Sequence, residues 1–194
     1  MYTPVSFDAK VEEYLGRAMT ITVTSRAPEV ILALLPAAVK EETRIGILQL
    51  DSFTFLPDRV LVGVVPIIAA DLRQWTLIVE TVGGVGYAMA EQLSAEGGAA
   101  VSFSITEDSG PGFVWAEDGA FIAQFELNPG VQPCFHGAVL IQGVTGVQIN
   151  WELLETVAFE TVVSIPFPWW GPPPLNVVLC SQAAVSASLP GRRG

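Results

Sequence analysis

LRQWTLIVETVGGVGYAMAEQLSAEGGAAVSFSITEDSGPGFVWAEDGAFIAQFE, residues 72–126, holds most of the strong local signals in the chain. Trp75, Thr76, Ile78 and Val79 favour a strand over Trp75–Glu80, because branched and aromatic side chains suit a pleated, half-buried surface. Gly83, Gly84 and Gly86 end it, glycine being free to take positive φ. Val85, Met89 and Leu93 then recur every fourth residue and predict one apolar side of a short helix over 85–95, with Glu91 and Gln92 on the other side. Gly97 and Gly98 stand where a helix ends.

Val101, Phe103 and Ile105 alternate with Ser102, Ser104 and Thr106, which predicts a strand with one wet face. Residues 107–112, Glu-Asp-Ser-Gly-Pro-Gly, read as a turn. Phe113 and Trp115 start a second strand, Glu117-Asp118-Gly119 a tight hairpin, and Phe121–Phe125 the return strand. Sequential antiparallel pairing of the three is the most economical topology.

A strand followed by glycines and a helix also invites a dinucleotide site. That fingerprint needs G-x-G-x-x-G or G-x-G-x-x-A. Here Gly84-Val85-Gly86-Tyr87-Ala88 runs into Met89, so the third small residue is missing. A hairpin region follows where a parallel strand ending in an acid belongs. The plain turn is the better reading, and no cofactor is expected.

Outward from this stretch, the 194 residues suffice for one α+β domain over 1–180, followed by a loose tail over 181–194. The expected architecture is a mainly antiparallel sheet of six to eight strands, with two or three short helices on one face. No apolar run approaches the roughly 20 residues of a membrane span. The first residues lack the basic and apolar segments of a signal peptide, so a cytoplasmic protein is expected. A net charge of -11 repels phosphate backbones and argues against nucleic acid as a partner.

Val11, Tyr14, Leu15 and Ala18 line one side of an N-terminal helix, and Met19–Thr24 reads as the first strand. Ser25 is the expected N-cap of a helix over 28–40, which Pro36 should kink or shorten. Ile45–Phe55 suggests one or two strands, Leu56-Pro57-Asp58 a turn, and Arg59–Val65 a buried central strand. Beyond Phe125, Asn128-Pro129-Gly130 reads as a turn, and 139–147 fits helix or strand. Asn150 is placed to cap a helix over Trp151–Phe159, and Thr161–Ile165 to form a strand. Four prolines within Pro168–Pro174 require extended or polyproline-like backbone, with Trp169 and Trp170 either covering core or exposed to a partner.

The order of these motifs resembles an actinobacterial family of domains of unknown function. The resemblance rests on Met19–Leu35, Trp75–Gly86, Glu91–Ser94, Val101–Ile105 and Phe113–Phe125, and covers roughly residues 15–127. It implies an α+β fold and no known active site, and nothing carries over to 128–194. By analogy of class, small acidic α+β proteins resemble immunity and other partner-binding proteins.

The residues that could do chemistry are few. His136 is the only histidine, which excludes a multi-histidine metal centre. Cys134 and His136 would share a side of an extended segment, and such a pair can activate a thiolate. The plainer reading is two partly buried loop residues after Pro133. Cys134 and Cys180 have no metal spacing, and reduced thiols are expected. Glu107-Asp108 and Glu117-Asp118 pair carboxylates, but in turns, where such residues serve the backbone.

The function expected is therefore that of a non-catalytic binding protein, its partner a basic toxin or a second copy of itself. Trp169, Trp170, Glu107, Asp108, Glu117 and Asp118 are the candidate contacts. The rivals are a small hydrolase or transferase using Cys134 and His136, and a self-associating structural subunit.

Overall fold

The computed structural model describes residues 7–15, 19–35, 39–41, 45–46, 59–81, 84–106, 110–126, 133–159 and 161–166. In chain order they form α1 (Ala9–Leu15), β1 (Met19–Thr24), α2 (Pro28–Leu34), β2 (Val39–Glu41), β3 (Ile45–Gly46), β4 (Arg59–Ile68) and β5 (Gln74–Glu80). There follow α3 (Val85–Ala88), α4 (Ala90–Ser94), β6 (Ala99–Thr106), β7 (Gly110–Glu117) and β8 (Ala120–Glu126). The last elements are α5 (Pro133–Thr145), α6 (Trp151–Thr156), β9 (Ala158–Phe159) and β10 (Thr161–Pro166).

Eight strands make one sheet in the order β2-β10-β4-β5-β1-β6-β7-β8. Its seven neighbouring pairs are all antiparallel, and β3 pairs with β9 as a separate ribbon. The class and the strand number are those expected, and β6-β7-β8 is the predicted meander.

The packing adds a second helical layer. Ile21, Val23, Leu77, Val79, Val101 and Phe103 meet Ala138 and Ile141 of α5 and Val11 of α1 on one face. Val62, Val64, Ile78, Val163 and Ile165 meet Ile31 of α2, Val85 of α3, Leu93 of α4 and Met89 between them on the other. Helices on both faces explain why β1 is buried at all six positions. They also overturn the wet face expected for β6: Ser102 and Ser104 are buried. Alternation tells which residues share a face but not what covers that face.

Several helix ends differ from expectation for local reasons. The helix expected over 28–40 stops at Leu34, and Leu35 is extended (φ -70, ψ 120), as a residue before proline must be. Val39 then lies in β2. Ser25 does not cap α2; Ala27 occupies the cap position, and Ser25 Oγ accepts a hydrogen bond from the Ala99 N–H at 2.8 Å. The segment 85–95 divides into two short helices at Met89. Asn150 does cap α6, its Oδ1 accepting from Leu153 N–H at 2.8 Å, but the helix ends at Thr156 and Ala158–Phe159 is strand. Residues 139–145 are helical, within α5.

Candidate functional site

The glycine turn after β5 is the most specific polar structure in the described part of the molecule. Helix α3 starts with N–H groups that have no intrahelical partner, and Glu80 at the end of β5 supplies one. One Glu80 carboxyl oxygen, Oε2, accepts from Gly84 N–H (3.1 Å) and Val85 N–H (2.6 Å), while Oε1 accepts from Gly86 N–H (2.7 Å). Gly84 takes φ +89, which a side chain would strain. Gly86 is required for space: a Cβ there would lie 2.2 Å from Thr22 Oγ1 and 3.0 Å from Glu80 Oε1.

Beneath the turn, the β1–β6 register sets two hydroxyl pairs side by side on the sheet. Thr20 and Ser104 hydroxyls lie 2.7 Å apart, those of Thr22 and Ser102 2.8 Å. Each satisfies the other, which is the condition for burying hydroxyls cheaply. Burial pushes the Glu80 carboxyl up to about 7, the three N–H donors pulling the other way. A carboxyl titrating near neutrality is often a mark of acid–base chemistry. This one is fully enclosed, and both its oxygens are engaged by its own backbone. It acts as a brace between β5 and α3. The place where a dinucleotide phosphate would meet backbone amides is taken by this side chain.

Cys134 and His136 do not form a pair. Both lie in α5, and residues two apart on a helix point about 200° apart around its axis. Cys134 is buried, and burial, with the Glu12 charge as a smaller contribution, pushes its thiol up to about 11. That is the opposite of an activated nucleophile. The His136 ring packs edge-on against Phe135 at 5.8 Å.

Asp118 and Gly119 both have positive φ (47 and 77) in the β7–β8 hairpin, as the two-residue turn demands. The carboxylate of Asp118 accepts from Gly97 N–H at 2.7 Å, tying the hairpin to the α4–β6 turn. Glu117 and Asp118 line a cleft of about 480 Å³ together with Arg73 and Gln74. Arg73 is engaged by Asp71 and lies over the Trp75 ring at 5.6 Å. Glu107, Asp108, Trp169 and Trp170 lie outside the described residues, so the structure places only Glu117 and Asp118 among the expected contacts.

Sequence reasoning passed over two features. Phe121 and Ile122 in β8 are 44% and 51% exposed, in the segment expected only to be the return strand of the hairpin. In addition, no lysine or arginine occurs from Gln74 to Gly191, while eleven acids do. The second signal was open to a count by segment, where the total charge alone conceals it. Among the described residues no cluster of His, Cys, Asp and Glu could hold a metal, and no helix is long and apolar enough to cross a membrane.

These features define an α+β protein with a doubly covered antiparallel sheet and a glycine turn closed by its own carboxylate. The chain belongs to a family of unknown function, DUF6461, which matches residues 7–133, more than half of its length. That match runs from α1 through β8 and contains the Glu80 brace and the acidic hairpin. No curated protein and no solved structure matches the chain.

Proposed function

We propose that the chain is a non-catalytic binding module of the cytoplasm that engages a basic protein through the β8 side of its sheet, neutralisation of a toxin being the form we favour. The carrying observation is the exposure of Phe121 and Ile122 on a strand flanked by Glu117, Asp118 and Glu126, in a long stretch without lysine or arginine. Apolar contact supplies affinity, and an acidic surround attracts a basic partner and rejects an acidic one.

The hydrolase reading finds less support, since Cys134 and His136 point apart and the thiol is held protonated. Self-association is opposed by the acidity of the same surface, because two copies meeting there would bring like charges together.

The test is co-purification of the chain with the basic products of its neighbouring genes, read beside the single variants Cys134→Ala and His136→Ala. A salt-sensitive complex that survives both variants is expected. Loss of the biological effect in either variant, with the fold intact, would overturn the binding reading in favour of catalysis.

A further inference from the structure

We infer that the outer edge of β8 takes an extended, basic segment of the partner as an added strand of the sheet. The inference rests on the binding reading above and specifies the mode and the chemistry of the ligand.

Among the described residues β8 is the last strand of the sheet, hydrogen-bonded to β7 on one side. All seven of its residues are exposed or half-exposed. A terminal strand presents backbone N–H and C=O groups that water or another strand must satisfy. Proteins keep such an edge single with lysine, proline, charge or a bulge; β8 (AFIAQFE) has no lysine or proline, its bulge is confined to its first residues, and its one charge is Glu126.

The register moves from Trp115↔Ala123 to Ala116↔Phe121, so Ile122 is the extra residue of a β-bulge. Phe121 and Ile122 at the bulge are exposed, and Ala123–Glu126 pair with β7 in unbroken register. A docking segment would thus meet a short backbone ladder with an apolar contact at one end, which is the pattern of strand addition.

Charge selects the occupant. Glu126 ends the strand, and Glu117 and Asp118 stand at the neighbouring hairpin. A second copy of this edge would place these acids near their own images, in addition to a net charge of -11 on each chain. A segment alternating lysine or arginine with aliphatic residues would set cations beside these acids and apolar side chains against Phe121 and Ile122.

The experiment uses the full chain and three labelled peptides of about nine residues, long enough to span the edge. One alternates lysine with valine, one glutamate with valine, and the third is the lysine peptide with a central proline. Fluorescence anisotropy should show binding of the first alone, weakened at least about fivefold between roughly 50 and 500 mM salt. Amide exchange at 123–126 should slow on binding, and Phe121→Lys and Ile122→Lys should each weaken binding about tenfold.

Equal binding of the glutamate peptide, indifference to both lysine substitutions, or protection in the free chain of those amides of 123–126 that do not bond to β7 would each overturn strand addition. The last result would mean that the edge is covered by the chain itself. If both lysine variants weaken a basic protein partner but the proline-interrupted peptide binds as well as the uninterrupted one, strand addition fails and the binding reading stands. If neither the peptide nor any basic neighbour product binds, both fail.

Discussion

At the scale of single residues, Glu80 carries the most weight. Its side chain reaches back to three N–H groups that would otherwise be buried without partners, so an amide at this position is a poor substitute. The nitrogen of Glu80→Gln cannot accept a hydrogen bond, and one donor loses its partner at a cost of about 1–3 kcal/mol. The pH dependence has a definite sign. Burial raises the Glu80 carboxyl from 4.5 to about 7, so the folded chain holds this proton more tightly than the unfolded one. The stability linked to that proton is full below about 4.5 and is lost as pH rises through about 7. Its size is on the order of 3 kcal/mol. Denaturant unfolding at pH 5 and pH 8 should show the loss in the parent chain and its absence in Glu80→Gln. An unchanged slope in the variant would mean that the brace is not the titrating group. Gly86→Ala should be severe for a different reason, since its methyl group meets Thr22 and Glu80 inside a closed space. Overpacking of this kind costs about 1–3 kcal/mol, measured by the same unfolding curves.

At the scale of elements, α5 decides how Cys134 behaves. A buried thiol raised to about 11 leaves only about one part in a thousand as thiolate at pH 8. Alkylation of Cys134 by iodoacetamide, followed by peptide mass spectrometry, should be at least about tenfold slower in the native chain than in the unfolded one. Rapid native labelling would reopen the nucleophile reading. The β4–β5 hairpin shows a different feature: Leu72 is 82% exposed and has φ +66. A leucine gains nothing from this conformation, whereas asparagine tolerates it, so Leu72→Asn should stabilise the chain by up to about 1 kcal/mol. A fall in thermal stability would show that the leucine side chain has a partner on the hairpin.

What was legible in the sequence follows the same division. Trp75–Glu80, the turn at Glu117–Gly119 and the cap at Asn150 were readable because each is written in neighbouring residues: branched side chains for a strand, Asp-Gly for positive φ, an amide oxygen for a helix start. The helix α5 was not, because CFHGAVLIQGV is apolar all round and fits either period. The partner of the Gly84–Gly86 amides was not readable either. Glu80 appears in the sequence as the last residue of a strand, and only folding shows that its side chain turns back on the following turn.

At the scale of the whole molecule, the uneven distribution of charge becomes a property of one side of the sheet. The N-terminal portion through Arg73 holds most of the basic residues, and β6, β7 and β8 hold none. Scattered solvent-facing hydrophobic residues need no explanation, but two adjacent ones on an edge strand with acids at both its ends call for a partner. Light scattering at two concentrations should give the mass of a single chain of 20.7 kDa, because Glu126 and the neighbouring Glu117 and Asp118 oppose pairing of β8 with a second copy. A stable dimer whose formation is abolished by Phe121→Lys would assign the edge to self-association instead.

The most direct measurement compares the affinity of the full chain for the alternating lysine–valine peptide in four forms: unchanged, Cys134→Ala, His136→Ala and Ile122→Lys. Contact through an acidic strand edge predicts equal binding in the first three and about a tenfold loss in the fourth. Full binding by Ile122→Lys, with loss in Cys134→Ala or His136→Ala, would contradict it.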